Sequence, residues 1–292
     1  MILFIFEGKD DEPRLYKTLK DLFQFELREE EILHYFCNNI FSLYNMIKSY
    51  SDGETEENPF ENIDIINVLK EDAVANHKEC LGLDKIKHSY EVSEIFLFFD
   101  YDIKPVDSFN KLSVEEQNEK ISELLNFFNS TQIDTERAGI KLFINYPMIE
   151  SYRYFKRPLP DENYKNYTVD VFIDGAFKQK VNEFCDYKNL KFLCYDLNKS
   201  GELKKSEDEK RADKISKTWL FIKEMNLKKA NYICTDSYSL PKNKESICQQ
   251  NIFKNQIEKY IEKKNEIAIL NAFPLLLYEY IDSYKIDKIK SS

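Results

Sequence analysis

Three short and almost uninterrupted apolar runs mark the first half of the chain. They read MILFIF at 1–6, IFLFF at 95–99 and IKLFINY at 140–146. A strand that is buried on both faces of a parallel sheet has this continuous pattern, whereas a half-exposed strand alternates apolar and polar residues. Each run therefore predicts a buried parallel strand.

Helical periodicity fills the intervals between these runs. Pro13 follows the first run and predicts the start of a helix that continues to about residue 25. A second amphipathic helix is predicted from about Glu29 to Tyr50, and a third, less regular one over about 65–80. Ser113–Glu116 has the sequence of a capping box, in which a serine and a glutamate bond two backbone amides at a helix start.

The resulting order of strand, helices, strand, helix and strand predicts an α/β fold with a mostly parallel sheet flanked by helices. The second half is predicted to be largely helical, with one more apolar strand at 266–273 and a terminal helix. We divide the chain into a core at 1–156, with a helical insertion at about 29–90, and a mainly helical region at 157–292. Whether the last strand pairs with the core sheet is left open.

Composition narrows the class of protein. Hydrophobic residues make up 42% of the chain, which is enough for a buried core and argues against disorder. No apolar stretch approaches the length of a membrane span, and the N-terminus lacks the basic region of a signal peptide. Six scattered cysteines without a C-x-x-C pair, and only three histidines, argue against a zinc ribbon or a disulfide framework. We therefore expect a cytoplasmic protein with no membrane partner.

The net charge of −10 argues against binding duplex nucleic acid through overall charge alone. Any contact with phosphate has to come from local basic residues or from metal ions. The candidates to hold phosphate are Lys9, Arg153, Lys156 and Lys242. Each of them, taken singly, is more typical of a solvated surface.

Acidic residues follow each of the three apolar runs. Glu7 follows the first, Asp100 and Asp102 follow the second, and Glu150 lies just past the third. In an open parallel sheet, ligands bind in the crevice beyond the carboxyl ends of the strands. Carboxylates gathered there repel one another unless a cation lies between them, and Mg²⁺ or Mn²⁺ prefers such all-oxygen ligands.

The turn after the first strand adds a further acid. Gly8 permits a sharp turn, which places Asp11 in the first turn of the following helix, facing back over the strand end. The set then has enough carboxylates for two ions and suits metal-assisted phosphoryl transfer. Acidic residues at a helix start also serve as caps, and a D-x-D after a strand also occurs in solvated loops that have no functional role. The order of the acids and their shared position at strand ends favour the site.

The segments FIFEGKDDE at 4–12 and IFLFFDYD at 95–102 resemble the Toprim fold shared by topoisomerases, primases and several nucleases. The resemblance covers about the first 155 residues and implies a Rossmann-like core. It implies that Glu7, Asp100 and Asp102 bind metal and act in catalysis, with Asp11 as the extra acid of the nuclease branch. NYPMIES, ending in Glu150 and Ser151, and the tail at 265–281 resemble the Toprim effectors of bacterial abortive-infection systems, which are similar to OLD-type and PARIS-type nucleases.

This resemblance implies an endonuclease or endoribonuclease that uses two Mg²⁺ or Mn²⁺ ions and acts as a toxic anti-phage effector. Asp11 and Glu150 would complete or support the second ion, and Glu150 would also belong to the catalytic acids. A separately encoded ABC-like ATPase would control the chain, with the helical region at about 157–264 as the docking surface. The choice between DNA and tRNA or other RNA stays open, and so does the oligomeric state, for which a homodimer is one alternative.

The chain departs from the family pattern at two points. The 93 residues from Glu7 to Asp100 exceed a minimal Toprim core and imply an insertion, and no P-loop sequence occurs, so the chain does not bind ATP in that way. Two alternatives remain. FFDYD also resembles the nucleophile motif of haloacid-dehalogenase phosphatases, although Ile103 replaces the usual Thr or Val and Glu7 would have no role. A non-catalytic sensor or regulator of a defence ATPase fits the acidic composition equally well.

Overall fold

A computed structural model of the chain describes residues 1–23, 30–51, 63–75, 82–105, 112–130, 139–173, 175–185, 193–204 and 209–280. The chain forms two compact units. The first unit comprises Met1–Lys9 and Leu27–Phe143, and the second comprises Asp10–Glu26 and Ile144–Ser292. The predicted division of the chain after residue 156 stays a prediction.

Eight strands are defined within the described residues: β1 Ile2–Phe6, β2 Glu31–Tyr35, β3 Glu94–Asp100, β4 Gly139–Asn145, β5 Thr168–Asp170, β6 Asp196–Leu197, β7 Leu203–Lys204 and β8 Glu266–Ala268. The α-helices of the same residues are α1 Asp11–Phe23, α2 Ile40–Ser51, α3 Ile65–Ala75, α4 Val114–Ser130, α5 Ala176–Phe184, α6 Glu209–Thr235, α7 Gln249–Gln256, α8 Glu262–Lys264 and α9 Ala272–Tyr280. A π-helical turn at Ile257–Ile261 joins α7 to α8. No helix of the described ranges is long and apolar enough to cross a bilayer.

The first unit is built on a parallel sheet with the strand order β2-β1-β3-β4. All five residues of β1 are buried, and Ile2 lies opposite Glu31 of β2 and Glu94 of β3. The predicted strands at 1–6, 95–99 and 140–146 are thereby confirmed as β1, β3 and β4. The α/β class with a parallel sheet flanked by helices is confirmed as well.

Phenylalanine side chains on neighbouring strands form the core against one face of this sheet. The Phe4 and Phe96 rings stack with centroids 5.0 Å apart, and Phe98 stacks on Phe143 at 5.1 Å. Pairs of this kind contribute about 0.5–1.5 kcal/mol each beyond the burial of their apolar area. The phenylalanine rings therefore connect β1 to β3 and β3 to β4.

The helix predicted from Glu29 to Tyr50 is wrong in its first part. Residues 31–35 form strand β2 at the edge of the sheet, and the helix begins only at Ile40. Ile32 and His34 are buried while their neighbours are half-exposed, which is the alternation of an edge strand with one covered face. Because Ile32 and Phe36 are also four residues apart, the same positions fit a helical stripe. Pairing with β1 decides the conformation.

The capping box at the start of α4 is confirmed. The Ser113 amide donates to Glu116 Oε2 at 2.7 Å, and the Glu116 amide donates to Ser113 Oγ at 3.2 Å. The predicted helix at 65–80 is confirmed over α3, and residues 76–80 lie outside the described residues. The α-helices that belong to the first unit are thus α2, α3 and α4.

The second unit is mainly helical, with α6 as its longest element. Trp219 of α6 is fully buried; its indole nitrogen donates to the Leu193 carbonyl at 2.6 Å, and its ring stacks on Tyr152. Helix α1 belongs to this unit, and its Thr18 hydroxyl accepts a hydrogen bond from the Tyr195 amide at 3.1 Å.

The last predicted strand is shorter than 266–273. Only β8 is extended, and it pairs antiparallel with β5, with Ile267 opposite Val169. Leu270 then makes a single antiparallel bridge to Tyr146, the residue after β4, and α9 begins at Ala272. The apolar run therefore divides into a short strand and the first turn of a buried helix, which local hydrophobicity does not distinguish.

Candidate functional site

Glu7 and Asp100 lie at the carboxyl ends of the neighbouring strands β1 and β3. The Glu7 amide donates to the Phe98 carbonyl at 3.0 Å, so the ladder between the two strands continues one residue past β1. The Glu7 side chain then reaches the end of β3, where its Oε2 accepts a hydrogen bond from the Asp100 amide at 2.9 Å. Asp100 is 6% exposed. The structure thus brings the Glu7 carboxylate to the backbone of Asp100, and we call these two residues the Glu7–Asp100 pair.

Asp102 follows on a segment that is anchored to α4. Tyr101, between the two aspartates, is buried and donates its hydroxyl proton to Asn118 Oδ1 at 2.7 Å. Gln117 accepts from the Lys104 amide at 3.1 Å and donates to the Lys104 carbonyl at 2.7 Å. These amide side chains therefore set the path of the chain on both sides of Asp102, which is half-buried.

Gln117 and Asn118 were missed in the sequence analysis, although a signal was present. Both are buried on the apolar stripe of α4, Gln117 four residues and Asn118 three residues before Ile121. An amide at a stripe position needs a hydrogen-bond partner, because burial without one is costly. The segment after β3 supplies those partners.

The chemistry of the donors at this sheet edge fits a hard divalent cation, since Glu7, Asp100 and Asp102 offer carboxylate oxygens only. Within the described residues, however, no group of three or more His, Cys, Asp or Glu side chains is arranged to hold an ion. The metal at this edge stays a prediction, with the Glu7–Asp100 pair as its nearest structural support.

The two other predicted acids come together in the second unit, around a lysine. Asp11 lies in the first turn of α1, Glu150 lies in a 3₁₀ helix at Ile149–Arg153, and Lys178 projects from α5. Lys178 Nζ is 3.0 Å from Glu150 Oε1 and 3.6 Å from Asp11 Oδ2. Arg14 pairs with the other oxygen of Asp11. We call Asp11, Arg14, Glu150 and Lys178 the Lys178 cluster.

Burial differs sharply within the Lys178 cluster. The Glu150 side chain is 5% exposed, whereas that of Lys178 is 60% exposed. The hydrogen bond to Glu150 and its negative charge raise the pKa of Lys178, with Asp11 acting in the same direction. Glu150 Oε2 and Arg14 Nε are buried and make no hydrogen bond within the described part of the chain. The buried carboxylate therefore relies on Lys178 for its counter-charge.

Asn271 fixes the backbone on both sides of Glu150. Its Nδ2 donates to the Ile149 carbonyl at 2.9 Å and to Ser151 Oγ at 3.0 Å, and Ser151 Oγ in turn donates to the Leu270 carbonyl at 3.2 Å. All of these contacts are buried. This network holds Glu150 in a defined position next to α5.

Two of the basic residues predicted to hold phosphate contact α5 instead. Arg153 is buried and donates from Nη1 to Asn182 Oδ1 at 2.7 Å, and Lys156 Nζ lies 4.4 Å from the centroid of the Phe184 ring. Lys242 is exposed, as is Lys9 in the first unit. Lys178 and Arg14 were not predicted as site residues, because no local motif marks them.

No protein-family model, no curated protein and no solved structure matches the chain.

Proposed function

We propose that the chain is a nuclease that uses Mg²⁺ or Mn²⁺ to cleave phosphodiester bonds in DNA or RNA. The observation that carries this proposal is the hydrogen bond between the Asp100 amide and the Glu7 carboxylate. It puts the first acid of the Toprim-like motif next to the D-x-D segment, at the edge of a parallel sheet where ligands bind in α/β folds. The two motifs are 93 residues apart in the chain.

In this proposal Glu7, Asp100 and Asp102 hold the ion. When bound, the ion supplies Lewis acidity toward the phosphoryl oxygen and lowers the pKa of water. The chain supplies orientation: the Asp100 amide sets the Glu7 carboxylate, and Gln117 and Asn118 of α4 set the segment that carries Asp102. Because these supports are uncharged backbone and amide groups, they do not neutralise the negative charge of the acids.

The proposal is tested by incubating the purified chain with plasmid, single-stranded DNA and total tRNA in Mg²⁺, Mn²⁺ or EDTA. We expect cleavage of at least one substrate with metal and none in EDTA. Glu7→Ala and Asp102→Ala should abolish it, whereas Asp10→Ala should retain it, since Asp10 is exposed next to the motif. Cleavage by the ligand variants at the wild-type rate would reject the mechanism.

Metal binding is tested separately by thermal unfolding. Saturating Mn²⁺ at about a hundred times its dissociation constant should add ~2.7 kcal/mol to the free energy of unfolding. The Asp100→Asn/Asp102→Asn double variant should be more stable than wild type in metal-free buffer, because it removes repulsion between carboxylates. If neither shift occurs, the ion site has no support.

The resemblance to Toprim effectors also suggests a biological role for the proposed nuclease. The chain would be a toxic effector in anti-phage defence, restrained by a separately encoded ABC-like ATPase that docks on residues within 157–264. A tagged pull-down should recover this ATPase with wild type and with Asp100→Ala alike. If Asp100→Ala also keeps the protective effect in cells, the chain is a non-catalytic sensor instead. Release of phosphate from a small aryl phosphate, lost in Asp100→Asn alone, would identify a haloacid-dehalogenase-type phosphatase.

A further inference from the structure

Lys178 ion pairs with two acids that the sequence predicts to share a divalent cation. Its Nζ contacts Glu150 Oε1 at 3.0 Å and Asp11 Oδ2 at 3.6 Å, and these acids come from different elements of the second unit. Both distances are within the roughly 4 Å limit for an ion pair. The residues present at Asp11 and Glu150 therefore do not fit a second ion as they stand, because an ammonium already contacts both carboxylates.

Charge counting leads to the same conclusion. The Lys178 cluster has two carboxylates and two cations, and Arg14 pairs with the Asp11 oxygen that Lys178 does not approach. Each of the two carboxylates therefore already has a basic side chain as an ion-pair partner. A carboxylate as buried as Glu150 needs one compensating cation, and Lys178 supplies it.

We propose that Lys178 takes the place of a second divalent cation at Asp11 and Glu150. This inference rests on the proposed nuclease function, and it reduces the two ions that the family resemblance implies to one. Lys178 is more than half exposed and is carried on a helix different from those of its two acidic partners. Removal of its charge converts the cluster into a site that takes a metal ion.

The experiment measures Mn²⁺ bound per chain by equilibrium dialysis, in the full-length protein. Lys178→Met should bind one ion more than wild type. Lys178→Arg, which keeps the charge, and Lys180→Met, an exposed position two residues along α5, should bind the wild-type number. In Lys178→Met/Glu150→Gln the extra ion should be lost, which assigns it to the cluster.

A second readout is the thermal midpoint. In EDTA, Lys178→Met should unfold at a lower temperature than Lys180→Met, because Glu150 is left buried without its cation. Mn²⁺ should raise the midpoint of Lys178→Met by more than it raises that of Lys180→Met. This comparison also establishes that the variant is folded when its ions are counted.

The outcomes separate this inference from the proposed function. An equal ion count in wild type and Lys178→Met, with equal midpoint shifts, overturns the role of Lys178, whatever the wild-type count is. The ion of the proposed nuclease is instead the one that wild type loses in Asp100→Asn/Asp102→Asn. Its absence would reject the nuclease site, while a gain of one ion in Lys178→Met would still support the cation role of Lys178.

Discussion

Gly82 approaches Ile32 of β2 so closely that a Cβ atom on Gly82 would lie 2.8 Å from Ile32 Cγ2. Gly82 also has a φ of +87°, which side chains with a Cβ rarely adopt. We predict that Gly82→Ala lowers the free energy of unfolding by about 1–3 kcal/mol, since steric strain adds to the unfavourable conformation. Urea unfolding measures this loss. Gly175→Ala is the control, because nothing lies within 4 Å of its Cβ position and its φ is negative; it should change stability by less than about 0.5 kcal/mol.

Two substitutions of Glu7 separate the effect of its hydrogen bond with the Asp100 amide from the effect of its charge. Glutamine keeps an oxygen at Oε1 and should still accept this bond, whereas alanine cannot. In metal-free buffer Glu7→Gln should therefore be more stable than Glu7→Ala by about 1–2 kcal/mol. Both variants should lack metal-dependent cleavage. Equal stability of the two variants, measured by urea unfolding, would mean that this bond contributes nothing to the sheet edge.

The Asn271 side chain makes buried hydrogen bonds to Ile149, Ser151 and Phe273, and we expect its loss to lower the stability of the second unit strongly. Asn271→Ala leaves the Ile149 carbonyl and the Phe273 amide without their partner in a buried site. We predict a loss of about 3 kcal/mol or more, since each buried group left without a hydrogen bond costs about 1–3 kcal/mol. Asn251→Ala, at an exposed position of α7, should cost less than about 0.5 kcal/mol. Chemical denaturation compares the two, and similar losses would contradict the role of the network.

Burial raises the pKa of the Cys234 thiol from 9.0 to about 12, and Cys248 acts in the same direction. The unfolded chain therefore loses this proton at lower pH than the native state. The contribution of Cys234 to stability is complete below pH 9 and is lost as the pH rises toward 12. Between pH 9 and 11, the free energy of unfolding should fall more steeply for wild type than for Cys234→Ala. Parallel slopes in urea unfolding would show that the thiol does not titrate in this way.

The sequence predicted those parts of the fold that local pattern determines. The runs that became β1, β3 and β4 are apolar at nearly every position, and this excludes an amphipathic helix. The edge strand β2 has only the pattern EILHY, which fits a strand and a helix equally well, so pairing with β1 had to decide.

Some residues of the candidate site were predictable from the sequence and others were not. Glu7 and Asp100 were predictable because each follows a strand, and strand ends meet in a parallel sheet. Lys178 was not predictable, because it is 167 positions from Asp11 and no spacing rule links α5 to α1. Gln117 and Asn118 were partly predictable. Their positions on the apolar stripe of α4 indicate that they need hydrogen-bond partners, but the sequence does not show which residues those are.

The long sequence separation between helix α1 and its partners affects how the chain folds during translation. It leaves the ribosome early, yet Thr18 and Lys17 bond to Tyr195 and Gly201, which are 177 and 184 residues later in the chain. At usual rates of translation this interval is on the order of ten to forty seconds. During that time the buried side chains Leu15, Tyr16 and Leu19 have no partner from the later part of their unit. A stop in translation near residue 143 would therefore leave a nascent chain whose helix α1 lacks the rest of its own unit, and incompletely packed apolar segments of this kind are what chaperones bind.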